Sequence, residues 1–181
     1  MGRTPPGAQT VFDHAPELFA TFNTFYGTLW QEGALDQATK EVGRLRNARV
    51  TGCAICKNLR FDGARQAGLT EDFVEQIVDG YETSELPDSW KTTLRWADAV
   101  IGHPASQAAA VRPDVEAAFT REQVAELTLT IAIAQGFSKA AVAWGPPPEI
   151  PMTVVRVSSA TCSRVKVAST SGRTAAACEA G

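Results

Sequence analysis

From Leu18 to Trp144 apolar residues recur every three or four positions, and no stretch alternates apolar with polar as a strand would. Helix is therefore the only regular structure this part of the chain predicts. Asp13 and Pro16 mark a first helix start, with Leu18, Phe22, Phe25 and Leu29 at helical spacing and Phe19, Tyr26 and Trp30 beside them, which predicts a buried helix. Gly33 stops it, and Asp36 is placed to cap a second helix with Ala38, Val42 and Leu45 facing inward. Glu41 falls one position before Val42, at the edge of that stripe, where a carboxylate is partly buried. Thr51-Gly52 breaks the second helix, and a third is expected from about Cys53 to Gln66, ended by Gly68.

Thr70 with Glu71 and Asp72 opens the next helix, closed by Gly80. Leu86-Pro87-Asp88 opens another, with Trp90, Leu94, Ala97 and Ile101 on one side, ended by Gly102-His103-Pro104. Ala105 to Val111 is short and ambiguous. Thr120-Arg121-Glu122-Gln123 fits a capping box, opening a long last helix through Val124, Leu127, Ile131, Ala134, Phe137, Ala141 and Trp144. Pro146-Pro147-Pro148 ends it. The class is all-α, with about six to seven helices in one domain over residues 1–150. Residues 151–181 are β-like only at Met152 to Val157, are otherwise Ser-, Thr- and Ala-rich without period, and read as a poorly ordered tail.

A hydrophobic content of 44%, a charged content of 20% and a net charge of −3 describe an ordinary globular domain. No polybasic block points to nucleic acid. Arg44, Arg46 and Arg49 lie at helical spacing among apolar residues, which favours ion pairing over phosphate binding. The opening MGRTPPGAQT lacks a signal peptide's apolar run, and no window approaches the roughly 20 apolar residues of a membrane span. A cytoplasmic protein is expected, where cysteines serve catalysis or metal binding more often than disulfide scaffolds. A zinc site would need about four ligands. Cys162, Cys178, His14 and His103 lack ligand spacing, so no metal is expected; the tail cysteines read as incidental and the histidines as helix-end residues. Trp90 and Trp96 read as core or subunit-interface residues.

The chemistry concentrates between Glu41 and Arg60. Cys53 and Cys56, at i, i+3 in a first helical turn, put two sulfurs on one face, within reach of a reversible disulfide. Exposed N–H groups at that turn favour thiolate, and Arg60, four residues after Cys56, would add positive potential along the same face. Peroxide reduction needs an attacking thiolate, a proton for the leaving oxygen and a second thiol to resolve the sulfenic acid. Cys56 and Cys53 can be the thiols, and Glu41, from the preceding antiparallel helix, the proton carrier.

Glu41, eleven residues and then Cys53-x-x-Cys56, around Arg44-Leu45-Arg46-Asn47-Ala48, resembles the alkylhydroperoxidase-like (AhpD-like) branch of the carboxymuconolactone decarboxylase superfamily over about residues 12–150. The resemblance implies an all-helical protein assembling as a homotrimer or hexamer, with Cys56 as the peroxidatic thiol, Cys53 as the resolving thiol and Glu41 in a proton relay. It implies a hydroperoxide substrate, an external lipoyl-bearing or thioredoxin-like dithiol as reductant, and no bound cofactor. Ile55 and Arg60 stand where the family pattern has histidines. Arginine stays protonated, so Arg60 can stabilise a thiolate or bind an anion but cannot act as a base. Two alternatives accompany this reading: a lactone decarboxylase-like lyase, and a non-enzymatic helical oligomer whose disulfide senses redox state.

Overall fold

The computed structural model describes residues 11–102, 104–145 and 155–157. Among these the chain forms eight α-helices: α1 Pro16–Gln31, α2 Gln37–Val50, α3 Ala54–Asn58, α4 Asp62–Gln66, α5 Glu71–Glu75, α6 Asp88–Ile101, α7 Pro104–Ala118 and α8 Arg121–Trp144. A short strand, β1 Leu59–Phe61, joins α3 to α4 and pairs in parallel with β2 Val155–Val157, in the register Leu59 with Val155 and Phe61 with Val157. The all-α class holds. The predicted third helix is divided, because the backbone becomes extended at Leu59 and resumes as helix only at Asp62. The stretch after Gly102 belongs to the 15-residue α7, whose period is obscured in sequence by the internal Pro113. Apart from β2, the predicted tail lies outside the described residues, as do His103, Cys162 and Cys178.

Helix α2 is the centre of the molecule and packs against both α6 and α8. Its Asp36 cap is present, the carboxylate accepting from Thr39 N–H at 2.9 Å. Every residue from Ala38 to Ala48 is buried. Ala38, Val42 and Leu45 join one apolar cluster with Trp30, Phe61, Ile77, Trp90 and Leu94. A second cluster, of Trp96, Ala97, Val115, Val124, Leu127 and Ile131, ties α6, α7 and α8 together. Trp90 and Trp96, read as core or subunit-interface residues, both lie in the core. Gly43 lets α2 and α8 close up: a Cβ on it would lie 3.2 Å from Ile131 and 3.3 Å from Leu127. The capping box at Thr120 forms in full.

Two further expectations need correction. Helix α1 starts at Pro16 with no side chain capping it, and Leu18 and Phe25 are exposed, so the expected stripe is not the buried one. The helix turns in Asn23, Gly27 and Trp30 instead, with Tyr26 against the core. Helix α8, in turn, is long and apolar enough by length and composition to cross a membrane, with a mean hydropathy of 1.2 over 18 residues. Its Val124, Leu127, Ile131, Ala134 and Ser138 are buried inside the protein.

Candidate functional site

The backbone sets up the cysteine pair. Gly52 takes a left-handed φ of +70°, which glycine adopts without the penalty a Cβ brings, and turns the backbone out of α2. Cys53 N–H returns a hydrogen bond to Ala48 C=O at 3.0 Å. Cys53 thereby becomes the N-cap of α3, and its Sγ accepts from Cys56 N–H at 3.3 Å. The two sulfurs are joined in a disulfide with a Cα separation of 5.3 Å. Cys53 is 1% exposed, whereas Cys56 is only partly buried. On the side facing α8, Ser138 Oγ donates to Cys56 Sγ at 3.4 Å, and Asn47 Nδ2 donates to Ser138 Oγ at 3.0 Å.

Glu41, six residues before Asn47 on α2, is wholly buried rather than at the edge of a stripe. It binds Arg44 through two short hydrogen bonds, from Nε at 2.6 Å and from Nη2 at 2.7 Å. Arg44 carries the connection onward, donating to Cys56 C=O at 2.8 Å and Leu59 C=O at 2.7 Å. These are carbonyls that a short helix leaves without partners at its C-terminal end. Glu41 thus reaches the cysteines through Arg44, the i, i+3 ion pair that its spacing allows. Burial pushes the Glu41 carboxyl above its ordinary pKa, against the opposing pull of Arg44 and, more weakly, Arg60. Burial opposes the charge on Arg44 too, but Glu41 outweighs it and holds the guanidinium more firmly protonated.

Arg60 does not follow the helical spacing. Because α3 ends at Asn58, Arg60 sits in β1, where its guanidinium donates to Lys57 C=O at 2.5 Å, Leu59 C=O at 3.0 Å and Glu71 at 3.2 Å. With Glu41 and Glu71 it lines a small cavity of about 10 Å³, so its charge bears on Glu41. A shallow apolar hollow of about 130 Å³, lined by Gly52, Cys53, Ala54, Ile55, Ala141 and Val142, adjoins the disulfide on its Cys53 side. A larger open groove of about 750 Å³ carries Arg46, Arg49, Lys57, Asp79 and Asp98. Arg46 there is neutralised by Asp98 at 2.6 Å and Asp79 at 2.9 Å. Among the described residues no group of three His, Cys, Asp or Glu side chains is arranged to hold a metal.

Two members of this arrangement, Asn47 and Ser138, escape the sequence reading, and Arg44, read there as an ion-pairing residue, takes the further role of holding the Cys56 and Leu59 carbonyls. Asn47 stands inside the motif without a visible task. Ser138 is 82 positions from Cys56, and its only signal is a hydroxyl four residues after Ala134 on the inward face of an apolar helix.

Residues 16–99 match the model of the carboxymuconolactone decarboxylase family. The chain is 38% identical over 136 residues to two uncharacterized proteins of Mycobacterium tuberculosis, MT2376 and Rv2313c; the match takes in 74% of this chain and 47% of each relative. The chain therefore spans about half the length of these curated relatives. Its fold is that of a protein of unknown function from Agrobacterium tumefaciens, ATU0492, named there as a candidate antioxidant defence protein AhpD. The TM-score is 0.61 at 22% identity, over 78% of this chain and 99% of that one.

Proposed function

We propose that this protein is a thiol-dependent peroxidase or disulfide oxidoreductase that reduces hydroperoxides with electrons from an external dithiol. The observation that carries the reading is the asymmetry of the pair: Cys56 is reachable and Cys53, bonded to it, is buried. The Cys56 thiolate attacks one oxygen of ROOH; the S–O bond forms, the O–O bond breaks, and the alkoxide leaves with a proton as ROH. Glu41, whose proton burial holds more tightly than an ordinary carboxyl's, is the candidate source of that proton, delivered through water, since its direct link to the cysteines runs through the permanently protonated Arg44. Cys53 then attacks the sulfenic sulfur, the S–S bond forms, and water leaves.

Reduction runs back through the accessible sulfur. A thiolate of the dithiol, lipoyl-bearing or thioredoxin-like, attacks Cys56 Sγ and expels Cys53 as a thiolate, which the Cys56 N–H is placed to stabilise. The second thiol of the reductant then frees Cys56, leaving the reductant as its disulfide. Arg44 positions the Cys56 backbone, and Arg60 acts at one remove through its field on Glu41. Assembly as a homotrimer or hexamer and a reducing, cytoplasmic setting belong to the same reading. Exposed Leu129, Val142 and Trp144 on α8 support self-association.

The test is mass spectrometry of the reduced protein, alkylated under denaturing quench seconds after one equivalent of an organic hydroperoxide. Joint loss of Cys53 and Cys56 as one disulfide, with Cys162 and Cys178 still alkylated, is the expected result. Cys56→Ser should abolish peroxide turnover. Survival of all four thiols would overturn the reading in favour of a lyase, for which a ring-opening or decarboxylation insensitive to thiol blocking is the mark.

A further inference from the structure

Helix α8 contains three hydroxyl side chains that face the interior or its margin, and they behave differently. Thr128 and Thr130 donate back to the carbonyls four residues earlier, Val124 at 2.6 Å and Glu126 at 2.8 Å, the usual resting place for a hydroxyl in a helix. Ser138 donates across to Cys56 Sγ instead. Ser138 is 2% exposed and Asn47 wholly buried, so water has little access to either. The Asn47 amide donates to Ser138 Oγ, filling the oxygen's acceptor side and leaving the hydroxyl hydrogen for sulfur. Asn47 is itself fixed by α2, and its backbone carbonyl accepts from both Thr51 N–H and Thr51 Oγ, which locks the turn leading to the cysteines.

We infer that Ser138 is a catalytic residue of this site, whose hydroxyl stabilises the Cys56 thiolate, and that Asn47 is the positioning residue that aims it. The inference rests on the proposed thiol chemistry at Cys56. A disulfide sulfur is a weak acceptor and a thiolate a strong one, so the same hydrogen bond strengthens when the pair is reduced. The hydroxyl keeps its proton throughout. It lowers the energy of Cys56 as nucleophile toward the hydroperoxide and as the last leaving group when the dithiol departs, while the proton for the alkoxide comes from elsewhere. Cys53 has its own donor, the Cys56 N–H, so each sulfur is served by a separate hydrogen bond. The family match ends at residue 99, so Ser138 lies outside it.

The experiment measures the pH dependence of Cys56 alkylation by iodoacetamide in the reduced full-length protein, read peptide by peptide, in a Cys53→Ser background. It requires no hydroperoxide, so it stands apart from the peroxidase test. Ser138→Ala should raise the apparent thiol pKa by about one unit, a tenfold loss of thiolate below that pKa. Asn47→Leu, which releases the hydroxyl without removing it, should give a smaller rise, and Ser138→Thr should restore most of the parent profile. Far-UV circular dichroism checks that each variant keeps its helices, and Asn47→Leu decides the matter where Ser138→Ala does not fold. Superimposable profiles for the parent and the folded variant would overturn the assignment. A normal shift in a protein that ignores hydroperoxide would leave Ser138 in place and remove only the peroxidase.

Discussion

Helices α2 and α8 lie against each other and invert the usual relation between composition and burial. Helix α2 reads QATKEVGRLRNARV, yet Lys40, Glu41, Arg44 and Arg46 are all buried. Helix α8 is apolar enough to resemble a membrane span, yet it leaves Leu129, Val142 and Trp144 about half exposed. Position in the topology decides the matter: α2 lies between α6 and α8, whereas α8 has one covered face. A buried charge persists only with a partner. Lys40 has Glu126 and the carbonyls of Leu29 and Glu32, Glu41 has Arg44, and Arg46 has Asp98 and Asp79. These pairs connect α2 to particular points on α1, α6 and α8, which sets its rotation as apolar packing alone would not.

Breaking the contrast at its strongest point should have the largest effect. Arg44→Met leaves Glu41 buried without its cation and should destabilise the fold by about 3–5 kcal/mol in urea unfolding. The double variant Arg44→Met, Glu41→Leu should recover much of that loss. On the covered face of α8, Leu127→Ala should cost about 2–5 kcal/mol, as for a residue that is 0% exposed.

The pH dependence sharpens the same comparison. Because the folded-state pKa of Glu41 is raised, the folded protein holds a proton that the unfolded chain has released. Stability from this group is therefore full below about 4.5 and falls as pH rises from there through the raised value. Glu41→Gln should remove that slope, as read from unfolding midpoints across the range. The smallest effect belongs to the open face of α8. Leu129→Ser should change the stability of the folded protein by no more than about 0.5 kcal/mol. Sedimentation velocity should show a shift to smaller species if copies of the protein meet on that face.

The same two helices show how far the sequence could be read. Caps and stops were legible because they act locally: Asp36, Gly52, Thr70 and the Thr120 box need only their own neighbours. The Glu41, Cys53 and Cys56 spacing was legible for a similar reason, since α2 and α3 are consecutive. The depth of α2 was not, because pairing decides it and most partners lie far along the sequence, as with Lys40 and Glu126. Arg60 was misplaced because helical spacing was extended past Asn58, where the backbone turns into β1. Ser138 was invisible for want of any local pattern linking it to Cys56.

The hold of Arg44 on the carbonyls of Cys56 and Leu59 also bears on motion. A five-residue helix is too short to persist alone, since nucleation outweighs its few internal bonds. Here α3 borrows its closure from a side chain rooted in the deepest helix of the molecule. Its amides should therefore exchange with deuterium together with those of α2, as parts of one cooperative unit. The cysteine turn, although it lies at the surface, should then open only when the core does.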